Sequence, residues 1–217
     1  MTTAKICGLT TQEALDAALD GGATHVGAVV FPTSPRHIET LAARTLFERA
    51  RGRAQVVAVL VDPDDELLTE VGLMLRPDLV QLHGEETPER CAEVARLTNA
   101  GVIKALSVSG AADLDAAVAY APVVKHLMFD ARPPDGAALP GGVGARFDWS
   151  ILSGRSFDKP WFLAGGLDPA NVAEAIAITG APLVDVSSGV ESAPGVKEPA
   201  LISAFLKAVH AASPRQE

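Results

Sequence analysis

Residues 161–195 read WFLAGGLDPANVAEAIAITGAPLVDVSSGVESAPG, and the fold follows from how this stretch is punctuated. The apolar run Trp161-Phe162-Leu163-Ala164 has the length of a buried strand. Gly165-Gly166 stops it, and Asp168-Pro169 pairs a helix-capping side chain with the residue that suits a first helical position. A helix is predicted from there to about Ile178, closed by Gly180. A second strand over 183–186 again ends in small residues, Ser187-Ser188-Gly189, ahead of a short turn at Val190-Glu191. Two successive strands thus each end in a glycine-bearing loop with uncovered backbone N–H groups. Such loops suit an anion, because N–H groups converging at a helix start and the helix dipole both attract negative charge. Either loop taken singly reads equally well as a plain turn, but two in succession favour a phosphate.

Toward the N-terminus the same alternation repeats. Strands are predicted over 4–7, 25–30, 55–61, 79–83, 102–106 and 123–130. Between them fall helices over 12–19, 40–51, 87–97 and 111–120, and one opened by Asp62-Pro63. A Pro/Gly-rich loop over 132–144 follows the sixth strand, and a loop of that length inside a compact domain is usually functional or disordered. A short helix near 147–152 and a last helix over 199–211 complete the chain. Eight β/α units in 217 residues imply a single domain, 1–217, folded as a closed (β/α)8 TIM barrel. A doubly wound open sheet is the competing architecture, and the strand count disfavours it.

With 48% apolar residues the chain can bury one core, while a net charge of −9 offers no attraction to nucleic acid or anionic membrane. The two cysteines, Cys7 and Cys91, have no spacing that suggests zinc or a redox pair, so they read as free thiols in a reducing compartment. No signal peptide or long apolar span is evident, which makes a cytoplasmic protein the expectation. Oligomeric state stays open between monomer and homodimer.

In barrels of this kind the active site lies at the C-terminal ends of the strands. Strand ends and the loops after them supply Cys7, Arg36, His83, Asp130 and Asp185. Structural alternatives exist: Cys7 as an inert core thiol, Asp130 as a loop cap, His83 as a satisfied strand-end histidine, Arg36 as a solvated charge. Ring order shifts the balance. Strand eight neighbours strand one, so a phosphate cup on strands seven and eight falls between Asp130 on strand six and Cys7 on strand one. A sugar phosphate anchored there would hang its ring between a carboxyl group and a thiol, a pair suited to acid–base isomerisation. Arg36, beyond Cys7, could hold a carboxylate at the far end of the substrate in two-point contact.

Lys5-Ile6-Cys7-Gly8-Leu9-Thr10, Phe31-Pro32-Thr33-Ser34-Pro35-Arg36 and Gln81-Leu82-His83-Gly84-Glu85-Glu86 closely resemble the phosphoribosylanthranilate isomerases. The likeness continues through Gly141-Gly142-Val143-Gly144 with Phe147-Asp148-Trp149, and through Leu163-Ala164-Gly165-Gly166-Leu167 with Pro169 and Asn171-Val172. It ends in Asp185-Val186-Ser187-Ser188-Gly189-Val190-Glu191 with Pro194-Gly195, so it covers nearly the whole chain in order. The resemblance implies a (β/α)8 barrel of tryptophan biosynthesis that catalyses an Amadori rearrangement without metal or organic cofactor. The implied substrate is a small molecule, N-(5-phosphoribosyl)anthranilate. Cys7 is then the general base, Asp130 the general acid and Arg36 the contact to the anthranilate carboxylate. The phosphate would rest on backbone around Gly142, Gly144, Gly165, Gly166, Ser188 and Gly189, with His83 and Asp185 counted among the substrate-binding residues. Val143 and Glu198 replace a threonine and an aspartate of the family pattern, and Ala28 replaces a bulkier residue. None of the three touches a catalytic group.

On that reading Asp130 protonates the furanose ring oxygen and the ring opens to a Schiff base. Cys7 then removes the C2 proton, and the resulting enamine tautomerises to the ketone. A thiol with a reference pKa of about 8.5 needs help to ionise at neutral pH. Lys5 shares the face of Cys7 two residues earlier. Its charge either assists Cys7 or is spent on an interior carboxylate, and the second is favoured. The nearest rival is the histidine-pathway isomerase, a related barrel performing the same rearrangement on a substrate with two phosphates. It uses an aspartate where this chain has Cys7. A non-catalytic phosphate-binding barrel would keep the glycine loops but has no need of Cys7, Asp130 and Arg36 together.

Overall fold

The structure, a computed structural model, describes residues 1–132, 136, 141 and 144–212. Its centre is a closed barrel of eight parallel strands in chain order. They are β1 (Thr3–Cys7), β2 (His25–Val29), β3 (Gln55–Leu60) and β4 (Leu79–Leu82), then β5 (Gly101–Val108), β6 (His126–Ala131), β7 (Trp161–Leu163) and β8 (Leu183–Val186). The ring closes where β1 pairs with β8, placing Lys5 opposite Asp185. This settles the choice between barrel and open sheet.

Each strand is buried on both faces, as parallel strands covered by helices must be. One set of side chains, including Val57, Val59, Ile103, Ala105, Met128 and Phe162, fills the barrel interior. The alternate set, including Ile6, Val26, Ala58, Val80 and Phe129, packs outward against the helices. Those helices are α1 (Gln12–Asp20), α2 (Thr40–Phe47), α3 (Asp65–Met74) and α4 (Pro88–Thr98), followed by α5 (Ala117–Tyr120), α6 (Val172–Thr179) and α7 (Pro199–Ala212). Thr11 and Thr87 cap α1 and α4 by accepting from Ala14 and Arg90 N–H, and Gly180 ends α6 in the left-handed conformation at φ 65°. Among the described residues, no helix is long and apolar enough to cross a membrane.

Neither Asp-Pro step opens a helix. α3 opens at Asp64, which accepts from Leu67 N–H; Asp62 instead sits at φ 43° and accepts from Glu85 N–H, tying two neighbouring loops together. Asp168 likewise accepts from Ala170 and Asn171 N–H, closing a turn ahead of α6, whose cap residue is Asn171. In each case a short carboxylate is spent on loop N–H groups, those of the neighbouring loop for Asp62 and of its own turn for Asp168, before the helix begins. The helix expected over 111–120 is a 3₁₀ segment, Ala111–Ala116, running into the brief α5. Those expected over 40–51 and 147–152 likewise resolve into α2 with 3₁₀ Glu48–Ala50, and into 3₁₀ Trp149–Leu152. A small antiparallel hairpin, β9 (Glu191–Ala193) with β10 (Val196–Lys197), was not anticipated.

Candidate active site

A cavity that opens to solvent lies at the C-terminal end of the barrel. Cys7, Arg36, His83, Asp130, Gly144, Gly165, Gly166, Asp185 and Ser188 all line it. Gly142 lies outside the described residues, as does much of the 132–144 loop. Gly189 stands behind the rim: a side chain there would overlap the carbonyl of Leu167.

Cys7 ends β1 beside Gly27 of β2, its register partner. A Cβ on Gly27 would come within 3.1 Å of the Cys7 sulfur and 3.3 Å of Lys5 Cε, so the glycine makes room for both side chains. Burial pushes the Cys7 thiol up; the charge of Lys5 pulls it back, Asp185 adds to the rise, and Lys197 opposes it from farther off. Lys5 is wholly buried, with Nζ 2.7 Å from Asp185 Oδ1. Burial works against its charge, but Asp185 and Cys7 more than reverse that, and its pKa is pushed up to about 12. Lys5 is therefore a fixed cation next to the thiol, paired with the interior carboxylate that the sequence reading favoured. Asp185 spends one oxygen on this pair while lining the cavity.

Asp130, near the end of β6, lines the same cavity as Cys7. Its Oδ2 is 2.9 Å from His83 Nε2, and Gln81 Nε2 is 3.1 Å from His83 Nδ1. With the Gln81 amide donating to Nδ1, the imidazole hydrogen sits on Nε2 and points at Asp130. Among the described residues Gln81 Oε1 is buried without a partner, so the opposite amide orientation, with Oε1 accepting from Nδ1–H, is the other way to order this chain. Gly141 packs over the pair, and a Cβ there would come 2.5 Å from His83 Nε2 and 2.8 Å from Asp130 Oδ2.

Arg36 is buried rather than solvated. Its Nε and Nη2 donate to Glu191 Oε1 and Oε2 at 2.7 and 2.9 Å. Lys197 Nζ donates to the same Glu191 Oε1 and to Ser187 O at 2.9 Å. Burial favours the neutral form of Glu191, but hydrogen bonds from Arg36 and Lys197 outweigh it and hold the carboxyl below its usual range. On Lys197 burial prevails over the attraction of Glu191, and its pKa is lowered.

On the remaining side the loops after β6, β7 and β8 converge. Gly144, Gly165 and Gly166 all have positive φ, at 75°, 87° and 62°. A Cβ on Gly166 would meet Ala145 O at 2.8 Å and Gly144 O at 2.9 Å, and one on Gly165 would meet Ala131 N at 2.6 Å. Asn171 Nδ2 and Arg146 Nε both donate to Gly166 O at 3.0 Å, and Arg146 also pairs with Asp168. The loop is thus pinned by its carbonyl.

A family model described as N-(5'phosphoribosyl)anthranilate (PRA) isomerase matches residues 4–208, from β1 into α7. The chain belongs to this family. It is similar to the N-(5'-phosphoribosyl)anthranilate isomerase of Caulobacter vibrioides, with 59% identity over 207 residues covering 95% of this chain and 94% of that one. The crystal structure of phosphoribosyl anthranilate isomerase from Thermotoga maritima superposes with a TM-score of 0.87 at 34% identity, over 97% of this chain and all of that one. A phosphoribosyl anthranilate isomerase solved in complex with reduced 1-(o-carboxyphenylamino)-1-deoxyribulose 5-phosphate gives a TM-score of 0.83 at 34% identity, again over 97% and 100%.

For this phosphoribosylanthranilate isomerase family member, the residues the sequence reading left without a site role are Gly27, Gln81, Glu191 and Lys197. Gly27 had a signal, since a lone glycine inside a strand marks close approach. Gln81 had one too, being two residues before His83 and therefore on the same face of the chain. Glu191 stood only inside the stretch that carries the family resemblance, and Lys197 had no signal, because their hairpin strands are only three and two residues long.

Proposed function

We propose that the chain isomerises N-(5'-phosphoribosyl)anthranilate to 1-(2-carboxyphenylamino)-1-deoxyribulose 5-phosphate, as one domain and without a cofactor. The observation that carries this reading is the meeting of a thiol and a carboxyl group, Cys7 and Asp130, in the lining of one cavity. The reduced 1-(o-carboxyphenylamino)-1-deoxyribulose 5-phosphate bound by a relative at 34% identity supports the same substrate class. The phosphate rests on the backbone around Gly144, Gly165, Gly166 and Ser188, where N–H groups and positive-φ glycines allow close approach. Arg36 receives the aryl carboxylate, leaving the sugar between Cys7 and Asp130.

Asp130 donates a proton to the ring oxygen, and the C1–O bond breaks as the anilino nitrogen forms the Schiff base. Cys7 takes the proton from C2, and the electron pair moves to give the enolamine. Cys7 returns its proton to C1 while the C2 hydroxyl gives its own to Asp130, which yields the ketone and resets both groups. The hydrogen shift is internal to the substrate, so the chemistry balances without an external oxidant. Lys5 stabilises the thiolate, while His83, carried by Gln81, orients Asp130. The net charge of −9 supports a small-molecule enzyme without nucleic-acid or membrane partners. Turnover of phosphoribosylanthranilate by the purified chain tests the reading, and loss of that turnover in Cys7→Ala with substrate binding retained tests the base.

A further inference from the structure

Arg36 reaches the cavity from the loop after β2, yet nothing in that loop aims its guanidinium. The stem crosses Gly8, where a Cβ would come 2.8 Å from Arg36 Cδ and where φ is +75°. The head meets Glu191 of β9 in a two-point contact, with both side chains more than nine-tenths buried. Glu191 is itself held from behind. Lys197 of β10 shares its Oε1, Gly195 N–H donates to its Oε2 at 3.2 Å, and Lys197 is anchored to the carbonyl of Ser187 at the end of β8. Gly195, in the hairpin turn, packs so closely on the carbonyl of Pro35 that a side chain there would overlap it. Two loops far apart in sequence are therefore latched across the mouth.

The contact consumes the Nε–Nη2 side of the guanidinium. Among the described residues, Nη1 and the second hydrogen of Nη2 have no partner, and Arg36 lines the cavity. Those are the two parallel donors that a carboxylate needs. Charge fits as well: Arg36 and Lys197 carry two positive charges against one on Glu191, leaving a single positive charge for one carboxylate.

We propose that Glu191, backed by Lys197, is a positioning residue that turns Arg36 so its free edge meets the substrate's aryl carboxylate. The proposal rests on the reading of Arg36 given above, and a double-mutant cycle separates the two. In the otherwise native protein, Glu191→Gln is expected to raise KM for phosphoribosylanthranilate about tenfold, the scale of one charge-assisted hydrogen bond. Its kcat should stay within about twofold, with inhibition by inorganic phosphate unchanged. In an Arg36→Met background the same change should add nothing. A KM increase of equal size in both backgrounds, or an unchanged or lower KM in Glu191→Gln alone, would overturn the proposal. So would a parallel loss of kcat and phosphate affinity, which marks a general structural role. An Arg36→Met variant with native KM would sink the underlying reading of Arg36 instead. Should Glu191→Gln not fold, Glu191→Asp keeps the charge but shortens the reach by one methylene. The same KM-confined defect is expected, and native KM overturns the proposal.

Discussion

At Cys7 burial and charge oppose one another. Burial holds the proton on sulfur, and Lys5, clamped by Asp185, draws it off. Because the net direction is upward, kcat/KM should climb with pH through the neutral range rather than level off below it. Cys7→Ala is expected to lower kcat by about 10²–10⁴-fold with KM little changed. Cys91→Ala is the contrast: fully buried on the inner face of α4, it should cost stability by about 1 kcal/mol and leave kcat untouched. At the opposite end of the barrel His25 is held neutral. Burial comes first and the charges of His126 and Lys5 add to it, lowering its pKa to about 4. A histidine whose folded pKa lies below its unfolded value contributes stability above the unfolded pKa and loses it as pH falls. Native stability should therefore decline by about 3 kcal/mol as pH drops from 6.5 toward 4, and His25→Phe should flatten that part of a denaturation-versus-pH series. Cys7, His83 and Asp130 were legible in the sequence because strand ends point at the mouth of a barrel. His25 was not, since a histidine at the start of a strand looks the same whether solvated or buried.

Among the elements, the seam between β1 and β8 has most to lose. Lys5 and Asp185 are register partners across it, and their ion pair lies in the interior. Removing one partner leaves an uncompensated buried charge, so Lys5→Met should destabilise the protein by about 3–5 kcal/mol in urea unfolding. A loss below 1 kcal/mol would mean that the pair contributes little to closure. The loop after β7 gives a different outcome. Gly166→Val meets both the positive φ and the carbonyls of Gly144 and Ala145, and should raise KM strongly while phosphate inhibition weakens in parallel. An unchanged phosphate inhibition constant would move the anion site elsewhere. Strand positions were readable to within a few residues because apolar runs bounded by glycine and proline leave few choices. Helix starts were not, since Asp62 and Asp168 carry the capping side chain but spend it on loop N–H groups. The β9–β10 hairpin is too short to show a period at all, and it holds Glu191 and Lys197.

For the whole molecule, closure turns a linear list into a site. Cys7 and Asp185 are 178 positions apart in the chain yet belong to paired strands, and Asp130 reaches the same cavity from β6. The order of strands was enough to foresee this arrangement. What order could not foresee was that Arg36 is braced by another part of the chain, because that contact depends on side-chain reach across the mouth rather than on ring position. Cys7 ends β1 and lines the cavity, at the position where the resemblance implies an aspartate in the histidine-pathway isomerase, and this difference is what the account rests on. The most direct measurement is steady-state turnover by the purified chain, native and Cys7→Ala, on phosphoribosylanthranilate and, in parallel, on the bisphosphorylated substrate of the histidine pathway. The expected result is turnover of phosphoribosylanthranilate alone, falling at least a hundredfold in the variant. Equal turnover of both substrates, or native turnover of phosphoribosylanthranilate without the Cys7 thiol, would contradict it.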